Sequence, residues 1–198
     1  MSAKEIETEW RTTLEAWFGD AGRVRLKPGV RELLAWLHDA GVPCWIATSN
    51  TAGTVARALA AHGLAACFAG TVTSADVARP KPAPDVYAAA AQRALGAAWT
   101  PRDVLVVEDH CASALAARAL GMRVCAVHDA FRTAAPAWPA FAAAADYVAR
   151  SSLAELITQL QSLPNRYCIA CERTTQLSEF PVGAKEGGDK EEEEEHKE

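Results

Sequence analysis

The segment "RPKPAPDVY", residues 79–87, places a lysine between two prolines, just before a helical pattern. Each proline fixes its own φ angle and pushes the preceding residue out of the helical region, so the loop holds its backbone stiffly. Lys81 is therefore either a solvated lysine in a rigid loop or a cation directed at an anionic group. The residues that the fold brings beside it decide between the two interpretations.

Two further polar groups stand directly after apolar runs. Thr48, Ser49 and Asn50 follow "CWIA", and their side chains favour either plain helix capping or, with the N–H groups of a helix start, a phosphate seat. Glu108 and Asp109 follow "VLVV". Asp109 can also act as a helix cap, but two adjacent carboxylates at the end of a buried strand repel each other unless a cation lies near them. We therefore favour Glu108 and Asp109 as ligands of Mg²⁺.

The elements that must position these groups alternate along the chain. Helical spacing is present over residues 4–18, where Ile6, Trp10, Leu14 and Trp17 recur on one face, and again after each apolar run. Near-continuous apolar runs such as 43–48 predict buried strands. This alternation predicts a parallel sheet between two helical layers, a three-layer α/β/α architecture. In such sheets ligands bind at the carboxyl ends of the strands, where all three polar groups stand.

Charge and composition exclude several classes of protein. The net charge of −5 lies entirely in residues 183–198, an acidic run that predicts disorder, and the rest is neutral without a basic stripe, which argues against nucleic acid. No apolar run is long enough for a membrane span, and the N-terminus lacks a signal-peptide core, so we expect a cytoplasmic protein. The cysteines at 44, 67, 111 and 125 look like small buried hydrophobes of a reducing compartment.

The order and spacing of the polar groups resemble the haloacid dehalogenase-like hydrolase superfamily, in its phosphatase and β-phosphoglucomutase-like branch. The stretches that carry the resemblance are "PGVRELLAWLHDAGVPCWIATSN", "RPKPAPDVYAAAAQRALG", "VLVVEDHCASALAARALGMRVCAV" and "ADYVARSSLAEL", within residues 26–163. The resemblance implies a Rossmann-like core and a Mg²⁺-dependent phosphatase acting on a small phosphorylated metabolite. It also implies catalytic roles for two residues: Thr48 would hold a phosphoryl oxygen, and Lys81 would neutralise the phosphoryl group. Asp109 would ligate Mg²⁺, with Glu108 in support.

One part of the family pattern is missing. The family begins with a mid-sheet strand that ends in Asp-x-Asp, whose first aspartate attacks phosphorus, and this sequence contains no Asp-x-Asp. We therefore expect the strands that end at Thr48 and Glu108 to pair directly, or another segment to fill the position, because otherwise two apolar edges stand open. His110 stands where the family usually has serine; a fortuitous base is one interpretation and a helix-start histidine without a role is the simpler one.

These patterns divide the chain into four parts. Residues 1–25 are predicted to be a remnant of the helical cap, residues 26–163 the core, residues 164–182 a Cys-x-x-Cys appendage and residues 183–198 a disordered acidic tail. Cys168 and Cys171 in the appendage fit half a zinc site or a redox pair, and two cysteines without either role are the simpler interpretation.

Two functions of different classes follow from the sequence. The first is the Mg²⁺-dependent phosphatase, inactive in this chain if no nucleophile is supplied. The second is a non-catalytic relative that retains the phosphate seat and serves as a phosphate-binding or protein-interaction module. The sequence leaves the oligomeric state open.

Overall fold

A computed structural model describes residues 2–130 and 137–162. The predicted alternation is present over these ranges, with short 3₁₀ turns between several elements. The helices are α1 (Ala3–Phe18), α2 (Val30–Asp39), α3 (Ala52–His62), α4 (Asp85–Leu95), α5 (Cys111–Ala119), α6 (Trp138–Ala144) and α7 (Ala154–Gln161). The strands are β1 (Trp45–Ala47), β2 (Gly70–Val72), β3 (Leu105–Glu108), β4 (Arg123–Val127) and β5 (Tyr147–Ala149).

The strands form two parallel ladders. β1 pairs with β2, with Ile46 opposite Thr71, and β3, β4 and β5 pair in that order. Within the described residues β1 and β3 are not hydrogen-bonded to each other. Of the two expected alternatives, direct pairing of these two strands is therefore wrong, and another segment in this position stays a prediction. The residues that follow β1 and β3 instead border an opening between two sheet edges.

The core confirms the three-layer α/β/α prediction, because neighbouring residues of β4 belong to different clusters. Val124 and Ala126 pack with side chains of α4, α5 and α6, whereas Cys125 and Val127 pack with side chains of α2 and α7. A strand directs successive side chains to opposite faces, so helices cover both faces of the sheet. This burial on both sides explains why the strands read as continuous apolar runs.

The opening between β1 and β3, called the slot below, has a volume of about 460 Å³. Its sides are β1 and β3, and helices α2, α4 and α7 line it with apolar side chains such as Leu33, Ala90 and Leu156. The side chain of Val107 lies in the middle of β3 and is nevertheless 42% exposed. The exposure of a mid-strand valine shows that this face of β3 is not covered, and β3 has no strand neighbour on the side of the slot within the described residues.

Helix α1 lies against α3 and buries none of its residues, with Ile6, Trp10 and Trp17 exposed. Its assignment to a cap remnant over residues 1–25 stays a prediction. The Cys-x-x-Cys appendage and the acidic tail lie outside the described residues. In the part of the chain that the structure describes, no helix combines the length and apolarity needed to cross a bilayer.

Candidate active site at the carboxyl ends of the strands

Lys81 lies in the turn that leads into α4, and the Lys81–Pro82 peptide bond is cis. The Lys81 side chain is only 15% exposed. Its Nζ donates to Glu108 Oε2 at 2.6 Å and lies 4.6 Å from the centre of the Tyr87 ring. The proline-rich loop thus holds the ammonium against the carboxyl end of β3, which rules out a merely solvated lysine.

Glu108, the last residue of β3, is held by three donors. Lys81 Nζ and the Tyr87 hydroxyl both donate to Oε2 at 2.6 Å, and the His110 N–H donates to Oε1 at 3.0 Å. Charge-assisted hydrogen bonds of this length are the strong ones. The carboxylate therefore acts here as the fixed counter-ion of Lys81, and both of its oxygens are engaged.

The electrostatic surroundings of Glu108 favour its ionised carboxylate form. Burial on its own would raise the pKa of Glu108, but the Lys81 ammonium and the hydrogen bonds from Lys81, Tyr87 and the His110 N–H outweigh it and leave the pKa below its ordinary value. Burial and the Glu108 charge together raise the pKa of Tyr87. Tyr87 is therefore a neutral hydroxyl at pH 7 that donates to a carboxylate.

Thr48, Ser49 and Asn50 form the connection between β1 and α3. Thr48 Oγ1 accepts the Asn50 N–H at 3.0 Å, and the Ser49 carbonyl accepts from the Ser74 hydroxyl at 2.9 Å, which ties the ends of β1 and β2 together. The N-cap of α3 is Thr51, whose side chain accepts the Thr54 N–H. Capping thus falls to Thr51, which leaves the Thr48 hydroxyl hydrogen available for another acceptor.

Few of the described side chains at this site are placed to coordinate a divalent cation. Among the described residues, no three His, Cys, Asp or Glu side chains are placed together to hold a metal ion. Glu108 already has Lys81 as its cation, and Asp109 is half-buried on the same connection. The carboxylates described here do not by themselves fit a Mg²⁺ site, and the assignment of Glu108 and Asp109 as its ligands stays a prediction.

Direct contacts join some of the predicted site residues and not others. Lys81 and Glu108 form an ion pair, whereas within residues 2–130 and 137–162 no hydrogen bond links Thr48, Ser49 or Asn50 to either of them. His110 contributes its N–H to Glu108, and its ring lies 3.1 Å from the Ser113 hydroxyl. This agrees with the simpler interpretation of His110 as a residue at a helix start.

Tyr87 is the site residue that sequence reasoning missed. It looks like an ordinary core aromatic, and it is buried with the core side chains of α4. The signal was its place in the first turn of a helix that begins directly after the loop of Lys81, because residues of that turn lie next to the loop. A buried tyrosine also needs a hydrogen-bond partner, and the nearest buried acceptor is Glu108.

Comparison with known proteins agrees with this architecture. The chain is 36% identical over 133 residues to the probable pseudouridine-5'-phosphatase of Drosophila melanogaster, covering 65% of this chain and 56% of that protein. It is 42% identical over 103 residues to hexitol phosphatase A of Escherichia coli, covering 51% of this chain and 45% of that protein. The chain thus spans about half the length of these curated relatives.

A solved structure gives the same fold. CbbY from Rhodobacter sphaeroides in complex with xylulose-(1,5)bisphosphate superposes with a TM-score of 0.64 at 25% identity, covering 77% of this chain and 68% of that one. The family model of the haloacid dehalogenase-like hydrolases matches residues 2–121, which include α1 and both flanks of the slot. The chain therefore belongs to the haloacid dehalogenase-like hydrolase family.

Proposed function

We propose that this protein is a phosphatase-type hydrolase of small phosphate esters and that Lys81 binds the phosphoryl group. The observation that carries the proposal is the position of the Lys81 ammonium, held by Glu108 and Tyr87 at the carboxyl end of β3. An ammonium has three N–H donors, and its contact with Glu108 uses one of them. A cation fixed in a half-buried site stabilises phosphoryl charge more strongly than one in water.

Thr48 is the second residue of the proposed phosphate seat. Its Oγ1 accepts the Asn50 N–H, so its own hydrogen stays available for another acceptor, such as a phosphoryl oxygen. Ser49 and Asn50 stand just before α3, where a helix N-terminus favours an anion. A phosphate between the ends of β1 and β3 would meet this seat on one side and Lys81 on the other.

Mg²⁺ is the cofactor that the family resemblance implies. When bound, it would neutralise the phosphoryl oxygens. Asp109 is the residue that we would assign to it, and because the described residues do not complete a Mg²⁺ site, further oxygen ligands would have to come from elsewhere. We derive no catalytic step through the ion.

Hydrolysis of para-nitrophenyl phosphate tests the proposal. We would compare the chain with Lys81→Met in Mg²⁺ and in EDTA, with Lys27→Met as the matched control because Lys27 also pairs with a carboxylate, that of Asp129. The proposal predicts Mg²⁺-dependent release of nitrophenol that falls at least tenfold in Lys81→Met and not in Lys27→Met. Equal rates in both variants would exclude Lys81 from the reaction.

A second candidate is a non-catalytic phosphate-binding module. It is favoured by the lack of an Asp-x-Asp sequence, which leaves no residue of the site with the position of an attacking carboxylate. Binding of inorganic phosphate without hydrolysis of any aryl phosphate would support this candidate. Turnover by the chain alone would reject it.

The proposed partner is a small phosphorylated metabolite, and the neutral body gives no support for nucleic acid. We propose the cytoplasm as the compartment. The four cysteines among the described residues, at positions 44, 67, 111 and 125, are free thiols. Burial raises the pKa of Cys125 to about 12, so this thiol is unreactive and serves in packing.

A further inference from the structure

The outer edge of β5 lies at the end of one of the two ladders. β5 pairs with β4 on one side, and within the described residues no strand pairs with it on the other. The His128 N–H, directly after β4, donates to the Ala149 carbonyl. In a parallel ladder alternate residues direct N–H and C=O to the same neighbour, so Tyr147 and Ala149 face β4 and the backbone of Val148 faces outward. Unpaired outward groups of this kind are a template for another strand.

The side chain of Gln159, in α7, binds both outward groups of Val148. The Val148 N–H donates to Gln159 Oε1 at 3.0 Å, and Gln159 Nε2 donates to the Val148 carbonyl at 2.7 Å. Nε2 also donates to the Glu155 carbonyl of its own helix at 3.0 Å. A carboxamide carries an acceptor and a donor side by side. Gln159 therefore makes the two hydrogen bonds that a neighbouring strand would make with Val148.

Glu155, one turn earlier on the same helix, binds the next outward group. The Arg150 N–H donates to Glu155 Oε2 at 3.0 Å. Arg150 stands two residues after Val148, so its N–H lies on the same side of the strand. Glu155 Oε1 accepts the N–H groups of Ser151 and Ser152, each at 2.9 Å. Glu155 and Gln159 together are called the edge block below.

The outer edge of β2 is covered in a similar way. The Thr48 N–H donates to the Val72 carbonyl, so Val72 faces β1 and the backbone of Thr71 faces outward. Arg93, in α4, donates from Nη1 to the Thr71 carbonyl at 3.4 Å and from Nη2 to Asp76 at 2.9 Å. A charged side chain on an edge strand disfavours pairing with another chain. Both outer edges of the described part thus have a helix side chain on the middle residue of the strand.

We propose that the edge block keeps β5 from pairing with a second copy of this chain. A second copy fits because β5 is complementary to itself. In an antiparallel pair about a two-fold axis through Val148, the two valines would exchange both hydrogen bonds, and Arg150 would lie opposite Asp146 of the second copy. Arg150 is exposed and the Asp146 side chain is 32% exposed. Opposite charges at facing positions stabilise such a pair. This proposal does not depend on the phosphatase proposal.

Sedimentation velocity on the full chain tests the proposal by comparing the wild type with Gln159→Ala. Alanine removes both hydrogen-bonding groups and favours the helix. Leu156 and Leu160, 1% and 2% exposed, still hold α7 on the sheet. Gln161→Ala is the matched control, because Gln161 is an exposed glutamine of the same helix. We expect the self-association constant of Gln159→Ala to be at least about tenfold above those of the other two proteins. Equal constants in all three would overturn the proposal.

A second variant, Gln159→Glu, keeps the length of the side chain and gives a result even if the alanine variant does not fold. It replaces the amide donor with a carboxylate oxygen, which cannot donate to the Val148 carbonyl. We expect its self-association constant to rise above that of the wild type. A constant no higher than that of the wild type would count against the edge block.

Exchange of the Val148 amide hydrogen, followed by NMR, identifies the occupant of the opened edge. In Gln159→Ala we expect fast exchange at low protein concentration and slow exchange at high concentration, because a second copy binds by mass action. Fast exchange at every concentration would overturn the proposal. Slow exchange at every concentration would also overturn it, because a segment of the same chain, such as residues 167–171, would then cover the edge.

Reversal of one charge tests the pairing geometry. In the double variant Gln159→Ala/Arg150→Glu, a carboxylate at position 150 would lie opposite Asp146 of the second copy, and like charges directly opposite each other are destabilising. We expect the self-association constant to return close to that of the wild type. A constant equal to that of Gln159→Ala alone would contradict antiparallel pairing about Val148.

Discussion

Lys81 and Glu108 define the site at the scale of single residues. Glu108 was a candidate metal ligand in the sequence because it stands beside another acid, and a sequence cannot show which carboxylate a distant lysine will reach. In the structure Lys81 forms an ion pair with Glu108, which lies 27 positions later in the sequence. Because both oxygens of Glu108 accept hydrogen bonds, Glu108 positions the Lys81 ammonium, the group that we propose binds phosphate.

Lys81→Met should cost about 3 kcal/mol of unfolding free energy, because it leaves a buried carboxylate without its counter-ion. The double variant Lys81→Met/Glu108→Gln should recover to within about 1 kcal/mol of the wild type, since no buried charge is left and Tyr87 still has an acceptor. Urea unfolding at pH 7 measures both values.

The control for this cycle is the exposed pair of Arg79 with Asp85, where the arginine side chain is 73% exposed. Arg79→Met should change stability by less than about 0.5 kcal/mol. If the double variant at Lys81 and Glu108 is as unstable as Lys81→Met alone, the ion pair is not the source of the loss.

The same pair predicts a dependence of stability on pH. The pKa of Glu108 in the folded chain lies below its ordinary value of 4.5, so its stabilising contribution is complete above that value and is lost as pH falls through the folded pKa. The wild type should therefore lose more unfolding free energy than Glu108→Gln between pH 5 and pH 3, a range chosen to bracket the transition. Parallel losses in the two proteins would contradict an ionised Glu108.

At the scale of the elements the sequence predicted most of the structure. The helix after the proline-rich loop begins at Asp85, and the last helix begins at Ala154, two residues after Ser152. The Ser152 hydroxyl accepts the N–H of Ala154 at the helix start, and the Glu155 carboxylate accepts the N–H of Ser152, an arrangement similar to a capping box. Hydrophobic spacing and capping residues are local signals, which is why these helices could be predicted. The exact first and last residues of a helix depend on tertiary contacts, which the sequence does not show.

Gly29, directly before α2, lies very close to the start of α7. It has φ +77°, and a Cβ there would overlap Ser152 Oγ and the Ala154 N at the start of α7. Gly29→Ala should therefore destabilise the chain by about 3 kcal/mol or more, combining left-handed strain with steric overlap. Gly41→Ala is the matched control, since Gly41 has φ +67° and no atom within 4 Å of its would-be Cβ. It should cost only about 1 kcal/mol. Thermal unfolding compares them, and equal losses would show that the contact with α7 is not tight.

At the scale of the whole molecule, the sequence did not determine which strands lie beside β1 and β3. Apolar runs such as "VLVV" predict burial on both faces but not which strands become neighbours. Two alternatives were expected: direct pairing of β1 with β3, or another segment between them. In the structure the two strands stay apart, and Tyr87 and Ala90 of α4 share one core cluster with residues of both ladders.

Val107 reports on whether the slot is open in solution. Val107→Thr should change the unfolding free energy by less than about 0.5 kcal/mol, because this side chain is 42% exposed. Val124→Thr is the control at a valine that is 1% exposed and should cost about 2 kcal/mol through a buried hydroxyl. Equal costs would show that another segment covers Val107.

The central claim is that Lys81 binds a phosphoryl group at the carboxyl ends of the strands. The most direct test is calorimetric titration of inorganic phosphate into the wild type and into Lys81→Met/Glu108→Gln, the variant expected to stay folded without the cation. We expect binding by the wild type and at least tenfold weaker binding by the double variant. Equal binding by the two proteins would contradict it.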